Sequence, residues 1–273
     1  MLLFALTAGS IFLTGGPRLV VGMLSILLAH EMGHFLACRH YGVDATLPMF
    51  LPAPILSLVG TLGAFIRIRS PIPHRKALFD IGVAGPLAGI AVTLPVLVAG
   101  LLEARIVADR PDPFAISLGE PLLFRWLAGA IRGELPGGLT MSLGPFGLAG
   151  WFGLFVTALN LIPIGQLDGG HLAYAVLKRR AHVLSRAGSW VCLALVYFGP
   201  NWLVWTLLLR LLGRRHPPTL DDDAPLGGAR VALAVFALAV FVVSFVPDPF
   251  AWSWREFFEV AGLDPLIRQL TSR

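Results

Sequence analysis

The sequence predicts an all-α fold, a polytopic membrane helix bundle of about six spans with a membrane-associated β-hairpin or loop. Of the 273 residues, 56% are hydrophobic and only 14% are charged, whereas a soluble globular chain is usually about half apolar and about a quarter charged. Long apolar runs follow one another along the chain, and basic residues gather at their ends, where membrane proteins keep cytoplasmic charge. Lipid is therefore the expected surrounding.

The apolar runs match a bilayer in length, because a spanning helix needs about 20 mainly apolar residues. Residues 2–13 form a short first run, which we interpret as a short or partly missing first membrane helix, since no positive region precedes it as in a signal peptide. The longer runs are Leu19–Ala37, Ala77–Leu102, Leu143–Ile164, Gly188–Leu212 and Val231–Val246. Because Gly199-Pro200-Asn201 interrupts the Gly188–Leu212 run, that run is either one kinked span or two half-helices.

A segment rich in proline and glycine, Leu47–Pro73, lies between the second and third runs. Its last part, Phe65–Arg69, alternates in polarity like a strand. We predict a membrane-associated hairpin or loop here. A strand edge cannot face hydrocarbon, so the segment must pack on helices or line a wet cavity.

Charge indicates how the chain is oriented. Arg39, Arg67 and Lys76 are among the basic residues that flank the second and third runs, and Lys178–Arg180 follow the fourth run. The intervening segment, residues 103–140, carries a balanced mixture of charges. The positive-inside rule places the basic loops in the cytoplasm. This distribution also argues against nucleic-acid binding, despite the net charge of +5. The two cysteines, which lie in apolar runs without a CxxC spacing, are assigned no chemistry.

The clearest chemical signal is the H-E-x-x-H pattern formed by residues 30–34 within an apolar, helical run. Residues four apart share a helix face, so His30 and His34 can bind one zinc ion while Glu31 activates the attacking water. Ionisable residues within a bilayer helix cost at least about 2.5 kcal/mol each. Such a cluster is therefore hard to explain without a partner such as a metal.

A third protein ligand is needed, with the fourth position open for water. His40 nearly completes a longer H-E-x-x-H-x-x-G-x-x-H pattern, but Ala37 replaces its turn-forming glycine. Asp168 lies where Pro163, Gly165 and the following glycines should open the fourth run, on the same side as His34 by the charge count. We favour Asp168, with His40 as the alternative ligand and helix capping as the alternative role for Asp168.

Three features together resemble the site-2 protease family of intramembrane zinc metalloproteases. They are the H-E-x-x-H of residues 30–34, Gly85-Pro86 in the third run, and the N-x-x-P-x-x-x-L-D-G pattern of residues 160–169. The resemblance covers roughly residues 18–178. It implies His30, His34 and Asp168 as zinc ligands and Glu31 as catalytic base, and it gives Asn160 a contact with the substrate strand or the developing oxyanion.

The resemblance also implies the reaction and its setting. Residues 1–246 would form a transmembrane zinc metalloprotease domain with its core at about 18–178, without the PDZ or CBS domain of many members. Residues 247–273 would form an interfacial amphipathic tail. The expected substrates are transmembrane proteins, cut near the cytoplasmic side. The excess of arginine over lysine favours a bacterial cytoplasmic membrane. The alternatives are a transporter or channel that uses the polar cluster, or a catalytically silent scaffold.

Two other polar residues are noted. His171 could hydrogen-bond a metal ligand or cap its turn. Asp80, at the start of the third run, is expected to pair with Arg75 or Lys76.

Overall fold

A computed structural model of the chain describes residues 1–55, 57–109, 116–197, 199–211 and 218–250. The predicted helical architecture is confirmed in its main feature, since most of these residues are helical and two short two-stranded sheets are the only named sheets among them. The chain order is α1 Leu2–His40, β1 Met49–Pro52, β2 Thr61–Phe65, α2 Arg75–Glu103, β3 Arg105–Ala108, α3 Leu122–Arg132, β4 Leu139–Ser142, α4 Pro145–Asn160, α5 Asp168–Leu177, a 3₁₀ turn Lys178–Arg180, α6 Ala181–Leu195, α7 Asn201–Leu211 and α8 Gly228–Ser244.

Two helices in the described part of the chain, α1 and α2, are both long enough and apolar enough to cross a bilayer. The helices α4 and α8 are apolar but shorter. The structure thus supports a mostly helical chain with two candidate membrane spans. It gives fewer full-length spans than the predicted six, because the first two apolar runs form one helix, the Gly188–Leu212 run is divided, and α4 and α8 are shorter than a span.

Helix α1 joins the first two apolar runs, but it is interrupted between them. Gly15 and Gly16 have non-helical backbone angles, with φ of 72° at Gly16, and Pro17 follows. A positive φ is accessible to glycine at little cost, and proline is well suited to the first turn of a new helical segment. The segment before Gly15 is therefore a helix with its own direction, and His30 and His34 lie on the segment after the break.

The predicted hairpin within Leu47–Pro73 is present. Strands β1 and β2 pair antiparallel, with Met49 opposite Phe65. The regular strand begins earlier than the Phe65–Arg69 pattern predicts and ends at Phe65. Beyond it the Thr46 side chain, instead of a backbone carbonyl, accepts the N–H of Arg67 at 2.9 Å. This side-chain contact explains why only an isolated bridge, between Ala45 and Ile68, continues the pairing.

The tip of this hairpin is fastened to the first segment of α1. The Ser10 hydroxyl donates to the carbonyl of Gly60, and the rings of Phe4 and Phe50 meet edge to face at 5.1 Å. Gly60 has a φ of 78°, and a Cβ added there would meet the backbone of Ser10 and Ile11. The hairpin therefore packs on a helix, as its apolar sequence requires.

The segment between α2 and α4 contains structure that the sequence did not reveal. Strands β3 and β4 pair antiparallel, with Arg105 opposite Ser142, and α3 lies between them in sequence. The Arg132 guanidinium donates to the carbonyls of Leu101, Leu102 and Ala104 at 2.6–2.8 Å. The Leu101 carbonyl also accepts the N–H of Ala104 at 3.4 Å. Because the last carbonyls of a helix lack regular intrahelical partners, Arg132 caps the C-terminus of α2.

The Gly188–Leu212 run is resolved as two helices. Helix α6 ends at Leu195 and α7 begins at Asn201, with Gly199 and Pro200 between them. This favours the half-helix interpretation, because proline lacks the N–H that would continue α6. Most of the predicted tail at residues 247–273 lies outside the described residues, which end at 250.

A short strap, residues 218–226, connects the chain before α2 to α5. The backbone N–H of Asp221 donates to the carbonyl of Pro73 at 3.1 Å, and the hydroxyl of Tyr174 donates to Asp222 at 2.6 Å. Lys178 forms an ion pair with Asp223 at 2.7 Å, and this hydrogen bond lowers the pKa of Asp223. The strap holds the C-terminal end of α5 near the start of α2.

Small residues allow α1, α2 and α4 to approach closely. A Cβ added at Gly22 would meet Ala149 of α4, one at Gly33 would meet the Ala84 carbonyl of α2, and one at Gly100 would meet the backbone of Gly147. Glycine at such crossings is typical of helices that associate in membranes, where close backbone contact replaces the hydrophobic effect. The three helices therefore form one tightly packed unit around the predicted site.

Candidate metal centre

The two histidines of the H-E-x-x-H pattern lie on one buried face of α1. His30 and His34 expose only 5% and 7% of their surface, and their Nε2 atoms are 3.2 Å apart. The spacing of four residues produces this arrangement, since residues i and i+4 lie one above the other on a helix. Both rings thus present a nitrogen to the same small volume.

Asp168 reaches this volume because the chain reverses after α4. Helix α4 ends at Asn160, a turn follows, and α5 begins at Asp168. The turn is compact. A Cβ added at Gly169 would meet the carbonyl of Leu161, one at Gly170 would meet that of Gly165, and Gly165 itself has a φ of 59°. Larger residues would push α5 away from the turn, so these glycines set the position of the Asp168 carboxylate.

The three side chains converge on a point that fits a metal ion. The Oδ2 atom of Asp168 lies 3.3 Å from Nε2 of His30 and 3.3 Å from Nε2 of His34. A tetrahedral ion with bonds of about 2.0–2.1 Å separates its ligand atoms by about 3.3 Å. The observed triangle, with sides of 3.2–3.3 Å, therefore has the dimensions of one face of a zinc tetrahedron. Two imidazoles and one carboxylate are also a ligand set used in catalytic zinc sites.

The backbone of α2 orients His34. The Nδ1 atom of His34 lies 2.7 Å from the carbonyl oxygen of Ile81. A carbonyl can only accept, so Nδ1 carries a proton, and Nε2 is the nitrogen that faces Asp168 and His30. Metal-binding histidines are usually held by such a hydrogen bond from the second ring nitrogen.

Two glycines of α2 make room for the imidazole rings. A Cβ added at Gly85 would overlap the His34 ring, and one at Gly89 would lie 3.1 Å from Nδ1 of His30. In the sequence, Gly85 belongs to the Gly85-Pro86 pair of the family resemblance, whereas Gly89 belongs to none of the three motifs. Their spacing of four residues, a G-x-x-x-G pattern, was a signal for close helix packing that could have revealed both.

Replacement of Gly85 by alanine should weaken zinc binding by about 100-fold, at the upper end of the effects seen when groups that orient metal ligands are changed. The added methyl group would displace the His34 ring from the triangle. Gly89→Ala should have a smaller effect, because its Cβ makes a longer contact. Gly9→Ala is the matched control, since a Cβ there meets nothing within 4 Å. Zinc affinity is measured by competition with a chelator in detergent, and equal affinities for Gly85→Ala and Gly9→Ala would contradict the packing argument.

Glu31 and Asn160 lie beside the triangle. Glu31 is 5% exposed, and its carboxylate interacts with the backbone N–H of Ile66, just beyond β2. The Nδ2 atom of Asn160 lies 3.2 Å from Nε2 of His30. A carboxylate that can accept a proton and an amide that can donate a hydrogen bond thus border the same volume.

The remaining candidates lie elsewhere. His40 is exposed, and its ring contacts Tyr41 at 4.9 Å. It is absent from the metal-ligating cluster found among the described residues. His171 packs its Cβ against Gly82 of α2. Asp80 binds Arg230 instead of the expected Arg75 or Lys76.

The family model of peptidase family M50 matches residues 18–198, about two thirds of the chain. The chain belongs to this family. M50 membership confirms the resemblance to site-2 proteases that residues 30–34, 85–86 and 160–169 predicted. The match includes all the candidate ligands as well as Glu31 and Asn160, and it ends before α7 and α8.

Curated relatives of this M50 chain carry the name of zinc metalloproteases. "Probable zinc metalloprotease EGY1, chloroplastic" of Arabidopsis thaliana is 34% identical over 92% of this chain and 46% of its own length. The corresponding EGY1 of Oryza sativa is 32% identical over 92% of this chain and 43% of its own length. Arabidopsis EGY2 is 29% identical over 89% of this chain and 43% of its own length.

The chain spans a little under half the length of these relatives. Their names and the M50 match imply zinc, in agreement with the His-His-Asp cluster. Because they are plant chloroplast proteins, they do not support the bacterial cytoplasmic membrane favoured by the arginine excess.

Proposed function

We propose that this chain is an intramembrane zinc metalloprotease that hydrolyses peptide bonds within or near the transmembrane helices of other proteins. The observation that carries the proposal is the triangle of His30, His34 and Asp168, which lies beside Glu31 between apolar helices. A buried ionisable cluster is costly in such a setting. Metal binding compensates that cost, and it accounts for the close approach of all three side chains.

The proposed roles follow the positions of the side chains. His30, His34 and Asp168 would hold the ion. Bound there, zinc would supply Lewis acidity and would lower the pKa of water to about 7. Glu31 takes a proton from the attacking water and then passes it to the leaving amine. Asn160, at 3.2 Å from His30, is placed to donate a hydrogen bond to the oxyanion that develops on the substrate.

The hairpin supplies a surface for the substrate. A helical peptide bond is hidden, so the substrate must unwind before it can be cut. The Arg67 carbonyl accepts the N–H of Thr46, and the N–H of Arg69 donates to the carbonyl of Asp44. In a ladder, the residues between hydrogen-bonded positions direct their backbone groups to the opposite edge. At Ile66 that edge meets Glu31, so an unwound strand added along it would pass the catalytic carboxylate.

The proposed setting is a lipid bilayer. Residues 1–246 form the protease domain, with about six spans built from the apolar runs and the catalytic core at about 18–178. The His34 end of α1 and the start of α2 carry basic residues, including Arg39 and Arg75. By the positive-inside rule the active site lies toward the cytoplasmic side, or its organellar equivalent.

The proposal is tested with purified protein reconstituted into liposomes together with membrane proteins from the source. New amino termini are mapped by mass spectrometry. We expect termini inside apolar segments, their loss after treatment with a zinc chelator, and their return when zinc is added. A zinc-loaded protein that produces no new termini, or a protein that binds no zinc and conducts ions instead, would overturn the proposal in favour of the scaffold or the channel.

A further inference from the structure

Next to Ile81, which contacts His34, lies a polar network of Asp80, Arg230 and Tyr41 that the proposed chemistry does not use. Asp80 of α2 accepts hydrogen bonds from Nε and Nη2 of Arg230 at 2.8 and 2.6 Å. It also accepts one from the hydroxyl of Tyr41. The Arg230 and Asp80 side chains are 31% and 27% exposed, so the pair is partly shielded from solvent. A two-pronged arginine–carboxylate contact of this kind fixes both distance and direction.

The network joins three helices near the metal centre. Tyr41 is the residue directly after α1, Asp80 lies in the second turn of α2, and Arg230 lies in the first turn of α8. Arg230 also donates to the carbonyl of Leu226 at 3.4 Å, and Leu226 is 4% exposed. The arginine is thereby anchored to the hydrophobic core as well as to Asp80.

Asp80 is the neighbour of the residue that orients His34. The Ile81 carbonyl accepts the His34 Nδ1–H at 2.7 Å. One residue of a helix rises only about 1.5 Å, so a shift of α2 that moves Asp80 moves the Ile81 carbonyl with it. The contact between Tyr41 and Asp80 fixes α2 against α1 along their length. Gly33 and Ala84 determine how closely the helices approach, but small residues by themselves permit sliding.

We propose that Arg230, through Asp80 and Tyr41, is a positioning residue that sets the axial register of α2 against α1 and so directs His34 toward the ion. This inference rests on the metal centre of the proposed function. It assigns a role in the centre to α8, which lies beyond the residues matched by the M50 family model. The role is indirect, because Arg230 acts through Asp80 and the Ile81 carbonyl.

The test is the zinc affinity of purified Arg230→Met, measured by competition with a fluorescent chelator. We expect the zinc dissociation constant to rise about tenfold, the lower end of the effects seen for groups behind metal ligands. The zinc dissociation constant of Arg230→Lys should lie between those of the unaltered protein and Arg230→Met, because lysine keeps the charge but cannot form the two-pronged contact. Turnover should fall through kcat while KM stays unchanged, since no substrate contact is removed.

Arg18→Met is the matched control. Arg18 bridges the same two helices, α1 and α2, through a 3.1 Å contact with Glu103, but that pair is exposed and lies at the other end of α2. Its removal should leave zinc affinity unchanged. If Arg18→Met weakens zinc as much as Arg230→Met, the effect is general loosening and the inference fails. Wild-type affinity in Arg230→Met would also overturn it.

If Arg230→Met does not fold, Tyr41→Phe and Asp80→Asn provide the same measurement with smaller structural changes. Weaker zinc binding in these variants supports the inference, and unchanged binding refutes it. Failure of the proposed function is distinguishable, because it is seen in the unaltered protein, as a lack of bound zinc or as a lack of new amino termini in liposomes, and does not depend on any difference between the variants. Failure of the inference alone leaves zinc bound equally well by the unaltered protein and by the variants.

Discussion

Glu31→Gln should abolish most proteolysis and leave zinc in place. A positioned general acid–base contributes about 100- to 10,000-fold to a rate, so cleavage of a transmembrane substrate should fall by at least the lower of these factors. Glutamine has nearly the same size as glutamate but cannot take the proton of the attacking water. Glu31 contributes no atom to the ligand triangle of His30, His34 and Asp168, so the zinc content should stay close to one ion per chain. Cleavage in liposomes and metal analysis of the same sample provide the two measurements.

The control for this substitution is Glu103→Gln. It makes the same chemical change at the exposed end of α2, where Glu103 contacts Arg18. Cleavage should remain at the level of the unaltered protein. Retained cleavage in Glu31→Gln would remove Glu31 from the mechanism. If zinc is lost from Glu31→Gln, the carboxylate supports the ion instead.

Asp168→Ala should lose zinc and, with it, all cleavage. The carboxylate supplies one of three ligand atoms, and its removal leaves two imidazoles and no anionic ligand. Zinc affinity should fall by more than about 100-fold, the upper limit for changes behind the ligands. Asp168→Asn keeps the shape of the side chain and should bind zinc more weakly than the unaltered protein. The readout is zinc content after dialysis against a chelator.

Asp44→Ala provides the comparison for Asp168. Asp44 is exposed and follows α1 on the basic side of the chain, so the same change is made outside the centre. Its zinc content should match the unaltered protein. If Asp168→Ala keeps its zinc under the same dialysis, Asp168 is not a ligand and α5 serves another purpose.

Much of the helical architecture follows from apolar run length alone. Helix α2 spans the predicted Ala77–Leu102 with only a few extra residues, and α8 spans most of Val231–Val246. The short elements β3, α3 and β4 lacked such a signal, because they have only 4, 11 and 4 residues, far fewer than a bilayer span needs. Their pairing depends on contacts between residues more than 30 positions apart, which no local pattern encodes.

The residues of the candidate metal centre could be proposed from sequence because helical spacing and chain reversal are local rules. His30 and His34 needed only a helix, and Asp168 needed the break that proline and glycine residues indicate. The support for the centre was less accessible. Ile81 contributes a backbone carbonyl, which every residue possesses, so its contact with His34 has no sequence signature.

Asp80 shows how local reasoning can fail. The sequence offered Arg75 and Lys76 as nearby cations, within one turn or so of the same helix. The structure pairs Asp80 with Arg230, 150 residues away. A two-pronged guanidinium contact in a partly buried place outweighs an exposed pair on one helix, which is worth only about 0.3–0.5 kcal/mol.

The break in α1 at Gly15 and Gly16 separates the part of the helix that contacts the hairpin from the part that carries the candidate zinc ligands. Residues before the break are attached to the hairpin tip through Ser10 and Gly60, whereas the ligands lie after it on a helix locked to α2 and α4. The position of the hairpin thus depends on the amino-terminal segment, whereas the positions of the two imidazoles depend on the contacts of α1 with α2 and α4. Substitutions before Gly15 should therefore affect the edge beside Glu31 more than they affect zinc binding.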